Sequence, residues 1–424
     1  MFDPILTRNI HRSGSEKITT YLDHGGYQAT RLALEKSPDE LIQMVKASGL
    51  RGRGGAGFPA GIKWSFMPKN TDGPKIVAVN TDEGEPGTFK DREIVEQDPH
   101  QVIEGVIIAA YAVGASRATV YIRGEFFLGV KRWIKAIADA YEFGYLGKNI
   151  LGSGFCLDMS VHRGAGAYIC GEETAMLESL EGKRGHPRLK PPYPTQAGLF
   201  GLPTLVHNIE TLACVPHIVE RGPEWFASIG TAESKGPKIF SVSGHVNRPG
   251  NYELPLGIPL QEIIYEHAGG IRDGKRLKAV IPGGASTPML PTEQIDVPMA
   301  FETLKLIGSE LGTGAIIVMD ETTCMVEATR RLSKFFAHES CGYCTPCRIG
   351  SQRILDILDR LKKGYGKPND IETILELVEG IDGHTFCPMG AALVNPPRSA
   401  IRHFRTEFEH HITHKSCLTP KQAV

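Results

Sequence analysis

A cluster of cysteines near the carboxyl end constrains the fold of this chain more than any other feature. The segment Cys341-Gly-Tyr-Cys344-Thr-Pro-Cys347 spaces three thiols at two-residue gaps, and Cys387-Pro388 supplies a fourth from a distant segment. Four gathered thiolates are the usual ligands of an iron–sulfur cluster, and a Cys-Pro pair often completes the set. Zinc sites more often use two separated ligand pairs. The pattern favours a [4Fe–4S] centre and single-electron chemistry, with zinc as the alternative.

Composition excludes several classes of protein. The 424 residues carry a net charge of −1, without the basic stripe of a nucleic-acid-binding protein. The longest apolar stretch, around residues 106–113, is too short to span a bilayer, and no secretory leader is evident. These features predict a cytoplasmic protein with no direct membrane insertion. The odd total of nine cysteines indicates a reducing compartment. Five of them are interpreted as ordinary thiols: Cys156, Cys170, Cys214, Cys324 and Cys417.

The first half of the chain alternates strands and helices. Apolar strands are predicted at residues 75–79, 118–122 and 157–162, with helices from Pro99 and from Phe126 between them. Such a βαβαβ pattern predicts a mostly parallel, Rossmann-like sheet. Ligands of such sheets bind at the carboxyl ends of the strands.

Two acidic, glycine-containing loops follow predicted strands. They run from Asn80 to Gly87 and from Arg163 to Glu173, and the second leads into a helix. Each alone is equally typical of a solvated loop before a helix, where glutamate is favoured by the helix dipole. Because both follow strands of one sheet, we interpret them together as walls of a cofactor site.

A glycine-rich run spans Arg51 to Trp64. It follows a predicted helix rather than a strand, so it is not the dinucleotide fingerprint, and no Gly-Lys-Ser/Thr sequence makes it a Walker loop. A flexible linker is the alternative. Closely spaced glycines let backbone N–H groups approach a phosphate, and the interleaved aromatic residues favour a flat, phosphate-bearing ligand.

The rest of the chain predicts two further domains. Strands near residues 238–243 and 250–254 form a hairpin around a Pro-Gly turn, and a helix at 260–267 and strands near 278–281 and 315–320 follow. From Cys324 onward the pattern is helical, with helices expected at 326–340, 349–363, 371–380 and 395–411.

Four long motifs resemble one family. They are RGRGGAGFPAGIKW, NTDEGEPGTFKDR, GAGAYICGEETAMLESLEGKRGHPR and ESCGYCTPCRIG, in that order along the chain. They resemble the NADH-binding flavoprotein subunit of respiratory complex I. The resemblance implies a Rossmann-like α/β domain for FMN and NADH at residues 1–236 and a β-grasp domain at 237–323. It also implies a four-helix bundle with the [4Fe–4S] cluster at 324–424.

The resemblance also implies roles for individual residues. The implied FMN contacts are Gly52, Arg53, Gly54, Lys63, Asn80, Asp82, Glu83, Tyr168, Gly171, Glu172, Glu173, Val206, Asn208 and Thr211. The implied NADH contacts are Phe58, Phe66, Glu85, Glu173, Lys190 and Tyr193. The implied cluster ligands are Cys341, Cys344, Cys347 and Cys387. No catalytic acid or base is implied, because hydride passes directly from NADH to FMN, while Glu85 orients the nicotinamide.

The function implied is NADH dehydrogenase activity as the electron-input subunit of NADH:quinone oxidoreductase. The implied partners are a thioredoxin-like [2Fe–2S] subunit of the E type and a further iron–sulfur subunit of the peripheral arm. Through that complex the chain is expected on the inner face of the membrane.

Three alternatives remain open on the sequence. A diaphorase subunit of an NAD-linked hydrogenase or formate dehydrogenase shares the motifs, although such subunits often carry extra cluster motifs that this sequence does not show. A non-enzymatic iron–sulfur or zinc scaffold, and a ligand receptor built on the β-grasp domain, are the two non-enzyme interpretations.

Overall fold

The computed structural model describes residues 2–71 and 73–418. The chain forms two compact units. The first unit contains the described residues up to Gly84, together with Thr88–Phe240 and Glu253–Gly257. The second unit contains Glu85–Gly87, Ser241–Tyr252 and the described residues from Ile258 onward.

The first unit is built around a parallel sheet. Its four strands are β1 (Ile76–Thr81), β2 (Arg117–Ile122), β3 (Asp158–Arg163) and β4 (Thr204–Asn208). They lie in the order β3-β2-β1-β4, and every neighbouring pair is parallel. The three strands predicted from the sequence are confirmed. The strand β4 was not predicted, because its five residues follow a loop rich in glycine and proline and contain the polar pair His207-Asn208.

Ten helices belong to the first unit. They are α1 (Ile18–Asp23), α2 (Gln28–Leu34), α3 (Pro38–Ala47), α4 (Ala60–Ser65), α5 (Lys90–Gln97), α6 (Pro99–Val113), α7 (Phe127–Glu142), α8 (Glu173–Leu180), α9 (Ile209–Arg221) and α10 (Pro223–Ala227). Helix α3 begins with a capping box, since the Glu40 N–H donates to Ser37 Oγ and the Ser37 N–H donates back to Glu40 Oε2.

Helix α6 forms the centre of the first core. Fourteen of its fifteen residues are buried, and its sequence is apolar on all sides, as a helix enclosed by other elements requires. Gly105 allows α9 to approach closely, because a Cβ atom at Gly105 would lie 2.1 Å from the carbonyl oxygen of Leu212.

A second sheet follows, formed mostly by residues of the second unit. Its strands are β5 (Pro237–Gly244), β6 (Gly250–Pro255), β7 (Leu277–Ile281), β8 (Leu290–Pro291) and β9 (Ala315–Asp320), in the order β6-β5-β9-β7-β8. The β5–β9 pair is parallel, and β7 is antiparallel to both β8 and β9. Helix α11 (Leu260–Glu262) continues into a π-helical turn at Ile263–His267, and α12 is Phe301–Leu306.

The carboxyl-terminal region is helical, as expected. It contains α13 (Met325–Glu339), α14 (Thr345–Lys362), α15 (Asp370–Ile381) and α16 (Met389–His414), each packed against at least two of the others. The predicted start of the last helix at Asn395 is wrong. Proline favours the first turn of a helix, so Pro396 and Pro397 suggested a start there, but both lie inside α16 and are buried.

Candidate functional site

The first sheet reverses its strand order beside β1. Strand β2 pairs with one side of β1 and β4 with the other, and Asn80 faces Asn208 in register at the carboxyl ends of their strands. A crevice forms at such a reversal, because the connections from the two neighbouring strands leave in opposite directions. Three of the predicted site residues lie at this reversal. Val206 and Asn208 belong to β4, and Thr211 lies in the first turn of α9. They stand beside the loop that follows β1.

The glycine run packs directly against this switch point. A Cβ atom at Gly54 would lie 2.9 Å from Asn208 Cβ, so only glycine allows the approach. Gly57 has a φ of +65°, and its carbonyl accepts a hydrogen bond of 2.7 Å from Arg51 Nε. The Gly52 N–H donates to the Phe58 carbonyl over 2.9 Å. The run is thus a closed, ordered loop rather than a flexible linker.

Arg53 is a buried cation with unused donors. Its backbone N–H donates to Thr211 Oγ1 over 2.8 Å, and its Nη2 donates to the Lys235 carbonyl over 2.6 Å. The residue is fully buried. Within the part of the chain that the structure describes, no acceptor bonds its Nε or Nη1. Buried donors of a charged group normally have partners, so this arginine fits a site for an anion such as a phosphate.

A network of buried charges surrounds Arg53. Lys90 Nζ lies 2.7 Å from both Asp91 Oδ1 and Glu210 Oε2, and Lys238 Nζ lies 3.3 Å from Glu210 Oε2. Lys238 also donates to the Arg53 carbonyl over 3.3 Å. Despite its burial, the pKa of Glu210 is lowered by Lys238 and Lys90, so its carboxylate is ionised. Three cations thus face two carboxylates, and one positive charge remains in excess near the glycine run.

Glu83 is half-buried, and its side chain lies against the start of α5. Its carboxylate accepts hydrogen bonds from the backbone N–H groups of Asp91 and Arg92, at 2.8 Å and 3.0 Å. Burial, reinforced by the charge of Asp91, raises the pKa of Glu83 to about 8. The protonated form of this side chain is therefore more favoured than in a free glutamate. Asn208 Nδ2 donates to Asp91 Oδ2 over 2.6 Å, so the β1 loop, α5 and β4 are tied together.

The loop after β3 forms the opposite wall. Asn80 Nδ2 donates to the Gly171 carbonyl over 2.8 Å, and the Asp82 N–H donates to Asn80 Oδ1 over 3.1 Å. A Cβ atom at Gly171 would lie 3.3 Å from the Asp82 carbonyl oxygen. Tyr168 begins a short 3₁₀ turn that ends at Gly171. The two acidic loops thus meet, as their positions after parallel strands predicted.

The two glutamates at the start of α8 have different roles. Glu172 is the N-cap, since its Oε2 accepts from the N–H groups of Thr174 and Ala175 at 2.8 Å and 2.9 Å. Glu173 instead pairs with Lys63 and Lys190, each at 2.8 Å. Burial would raise the pKa of Glu173, but the two lysines outweigh burial and lower it to about 2.

The aromatic residues assigned to NADH are exposed. The rings of Phe58 and Phe66 lie 6.2 Å apart in a tilted arrangement, and about half of the surface of each of Phe58, Phe66 and Tyr193 is exposed. Trp64, from the same segment, is buried instead and donates from Nε1 to His207 Nε2 over 2.9 Å. Glu85 belongs to the second unit, where its Oε1 accepts a 2.6 Å hydrogen bond from the Ser286 N–H.

The four predicted cluster cysteines lie at ends of helices in the second unit. Cys341 follows α13, Cys344 caps α14, Cys347 lies in its first turn, and Cys387 precedes α16. Burial and the three neighbouring thiols raise the pKa of Cys387 to about 12. Ser340 Oγ lies 3.2 Å from Cys347 Sγ and can donate to a thiolate there.

A cluster and a single ion require different separations of the thiols that bind them. Among the described residues, the one trio of ligand atoms gathered within 4.8 Å of one another involves other side chains. Tetrahedral zinc needs ligand separations of only about 3.5–3.8 Å. An iron–sulfur cube holds its thiolates on separate iron atoms, and therefore farther apart.

Reasoning from the sequence missed the buried charges. Lys90 and Asp91 stand in the motif NTDEGEPGTFKDR, Glu210 lies beside the assigned Thr211, and Lys238 begins a predicted strand, but none of the four was itself assigned a role. Lysine is almost never fully buried without a partner, but its burial is not visible from its neighbours in the sequence.

Comparisons with known proteins agree with this arrangement. Three protein-family models match: the Nuo51 FMN-binding domain over residues 45–217, the SLBB domain over 238–318, and the NADH-ubiquinone oxidoreductase-F iron-sulfur binding region over 327–411. The NADH-quinone oxidoreductase F subunit 2 of Rhizobium meliloti is 54% identical over 98% of this chain and 99% of its own length. The chain belongs to the family of NADH-quinone oxidoreductase F subunits. The member of this family from Mycobacterium tuberculosis is 50% identical over 98% of this chain and 94% of its own length.

A solved structure with lower sequence identity has a similar fold. An NAD+-reducing [NiFe]-hydrogenase in the H2-reduced state superposes with a TM-score of 0.85 and 38% identity, over 96% of this chain and 68% of that one. The family resemblance based on the four motifs is therefore confirmed. The expected NADH dehydrogenase function and the expected FMN, NADH and [4Fe–4S] cofactors are also confirmed. The hydrogenase is a more distant relative.

None of the helices in the described part of the chain has the length and apolar character needed to cross a membrane.

Proposed function

We propose that this chain oxidises NADH at an FMN held in the switch-point crevice and delivers the electrons singly to a [4Fe–4S] cluster. It does so as the electron-input subunit of NADH:quinone oxidoreductase. When bound, FMN converts a two-electron hydride donor into a source of single electrons, chemistry that belongs to the cofactor rather than to the protein. The observation that carries the proposal is the buried positive excess around Arg53, whose two unpaired donors match the phosphate of a flavin nucleotide.

The chain's own contribution is binding and orientation. We assign the phosphate end of FMN to the glycine run and the start of α9, where Arg53, Gly54, Asn208 and Thr211 lie together. The remaining FMN contacts are assigned to both loop walls and the adjoining strand: Gly52, Lys63, Asn80, Asp82, Glu83, Tyr168, Gly171, Glu172, Glu173 and Val206. The Glu83 carboxyl lies beside this crevice, and in its protonated form its O–H can donate to a polar but uncharged ring edge.

The NADH contacts are assigned to the exposed rim. Phe58, Phe66 and Tyr193 present flat apolar faces that can stack on adenine. Lys190 and Glu173 form an ion pair that offers both a cation for phosphate and a carboxylate for a ribose hydroxyl. Glu85 is assigned to the nicotinamide side. Hydride transfer requires no acid or base, only that donor and acceptor are held in near-attack geometry.

The cluster is assigned to Cys341, Cys344, Cys347 and Cys387. All four must lose protons to bind iron, and the burial that raises the pKa of Cys387 to about 12 opposes this in the absence of metal. The positive charge of iron reverses that balance, since a coordinating thiol is deprotonated outright.

The finer fold assignment belongs to the same proposal. The strand order β6-β5-β9-β7-β8 and the match to an SLBB domain support a β-grasp domain at 237–323. The mutual packing of α13 to α16 supports a four-helix bundle at 324–424. The α/β domain then takes residues 1–236; the limits at 1 and 424 lie outside the described residues.

Membership of the family implies that the chain works with other subunits of the complex. We propose as direct partners a thioredoxin-like [2Fe–2S] subunit of the E type and a further iron–sulfur subunit of the peripheral arm. The complex would hold the chain at the inner, cytoplasmic face of the membrane.

The proposal is tested by co-expressing the chain with a candidate E-type subunit encoded beside it. The purified complex should contain FMN, reduce ferricyanide with NADH, and show two distinct EPR signals after reduction, one from each subunit. A chain that is fully stable and fully active alone would count against the partner. A complex that carries iron but neither binds FMN nor oxidises NADH would overturn the enzymatic assignment.

A further inference from the structure

Three side chains outside the cluster motif converge in the second unit. Cys324 is the N-cap of α13, His411 lies near the end of α16, and Cys417 follows that helix. Their ligand atoms all lie within 4.8 Å of one another, and Cys324 Sγ is 3.3 Å from His411 Nε2. His411 is buried and the two cysteines are partly buried. The sequence alone predicts nothing more than ordinary thiols for both cysteines.

The spacing is close to that of a tetrahedral zinc site. With Zn–S near 2.3 Å and Zn–N near 2.0–2.1 Å, neighbouring ligand atoms stand about 3.5–3.8 Å apart. The three atoms therefore need to move by about 1 Å or less to coordinate one ion. A side-chain rotation of Cys417, which lies beyond the end of α16, can supply most of this movement.

The imidazole is already oriented for a metal. His411 Nδ1 lies 3.3 Å from the Leu361 carbonyl oxygen. A carbonyl can only accept, so Nδ1 carries the proton and Nε2 presents its lone pair toward Cys324. Burial lowers the pKa of His411, which keeps the ring neutral. A metal-bound histidine usually donates the N–H of its other ring nitrogen to such an acceptor, often a backbone carbonyl.

We propose that Cys324, His411 and Cys417 bind a Zn²⁺ ion, separate from the iron–sulfur cluster. Binding releases one proton from each thiol to solvent, and the two thiolates neutralise the charge of the ion. A neutral site suits this half-buried position, because an uncompensated charge would be costly there. The fourth tetrahedral position is left for water.

Zinc at this position would join the beginning of the helical region to its end. It links Cys324, directly before α13, to Cys417, after α16, and these two residues are 93 positions apart in the chain. All four predicted cluster cysteines lie in the part of the chain between these two points. Metal bonds that close long loops restrict the unfolded chain most strongly.

The test uses the untagged complex, purified without air and without added zinc, because a histidine tag would bind the metal. For each copy of the complex with the E-type subunit, we expect about one zinc beside about six irons by elemental analysis, about four from this chain and about two from its partner. Zinc-edge X-ray absorption should show two sulfur neighbours near about 2.3 Å and nitrogen or oxygen near about 2.0 Å. The Cys417→Ser variant should lose most of the zinc, while iron and FMN remain. Cys156→Ser, which removes an exposed thiol elsewhere, should keep it.

Each other outcome overturns the proposal. Zinc-free wild type that gains no zinc on incubation with zinc chloride excludes the site. Four sulfur neighbours in an iron-deficient sample would place zinc in the cluster position instead. A Cys324–Cys417 disulfide, found by mass spectrometry in the anaerobic sample, would show that the two thiols pair with each other. If Cys417→Ser fails to fold, the absorption spectrum of the wild type decides alone.

Discussion

The proposed flavin site and the proposed cluster site differ in how far the protein itself completes them. Around Arg53, five buried charges are fixed by ion pairs and hydrogen bonds among themselves, and the glycine run is closed by its own backbone. At the four cysteines the neighbouring groups include the other thiols, and burial together with those thiols holds the pKa of Cys387 far above neutrality. The first site is held together by contacts among the protein's own groups, whereas the second reaches charge balance only with bound iron.

This difference indicates which of the two cofactors the surrounding protein needs in order to fold. A preorganised site gains affinity from its ligand but does not need the ligand to fold. A site whose ligands must be deprotonated couples metal binding to folding. The comparison predicts that loss of FMN leaves the α/β unit folded, while loss of iron destabilises the helical region.

The largest effect is expected from Cys347→Ala. Loss of one of four thiolates should abolish the cluster, because an incomplete ligand set leaves one iron exposed. Iron content should fall close to zero and the low-temperature EPR signal should vanish, while flavin absorbance stays near the wild-type level. Cys156→Ala, at an exposed thiol, serves as the control. Unchanged iron in Cys347→Ala would remove this residue from the ligand set.

Arg53→Met should weaken FMN binding by roughly 100-fold, since charge-assisted hydrogen bonds of a buried cation are worth about 2–3 kcal/mol. Fluorescence titration of the apo-protein with FMN measures this change, and iron content should not move. Arg92→Gln removes the same charge from an exposed ion pair with Glu96 and should leave the affinity unaltered. Equal losses in both variants would show that the excess charge around Arg53 has no special role.

Glu173→Gln should relax the preference for NADH over NADPH by about 10- to 100-fold in relative kcat/KM, or about 1–3 kcal/mol. A carboxylate near the ribose repels a 2′-phosphate. Its removal also frees Lys63 and Lys190, which it now pairs with. The ratio is measured with ferricyanide as acceptor. Glu178→Gln is the matched control, because that residue lies on the same helix α8 but pairs with Arg188, outside the assigned contacts, and should leave the ratio unchanged. A constant ratio in Glu173→Gln would mean that another group discriminates.

The smallest effect concerns the pH dependence of stability. Burial lowers the pKa of Lys238 to about 8 in the folded chain, from an ordinary value of 10.5. Between these values the unfolded chain binds more protons, so this residue makes stability rise with pH. From pH 7.5 to 9.5 the wild type should gain about 2 kcal/mol relative to Lys238→Met. Melting temperatures of the two proteins, measured across that range, should diverge; parallel curves would indicate that Lys238 is already neutral or fully ion-paired.

Much of the fold was predictable because its signals are local. Alternating strands and helices placed three of the four parallel strands, and cysteine spacing indicated the nature of the metal site. Strand β4 and the charge network were missed for a common reason. Asn208 becomes a site residue only by pairing next to Asn80, and Lys90 becomes a buried cation only beside Glu210, so both depend on contacts across more than a hundred positions of sequence. The assigned site residues therefore stay predictions until the variants are measured.

The pairing of β1 with β4 also has a consequence for synthesis on the ribosome. Strand β1 ends at Thr81 and β4 begins at Thr204, so the 122 residues between them must be translated before the two strands can pair. At about 5–20 residues translated per second, the edge of β1 that pairs with β4 remains unpaired for roughly 6–25 s. An apolar strand with an unpaired edge is a template for aggregation. The nascent chain is therefore most in need of chaperone protection during that interval, before FMN can find any place to bind.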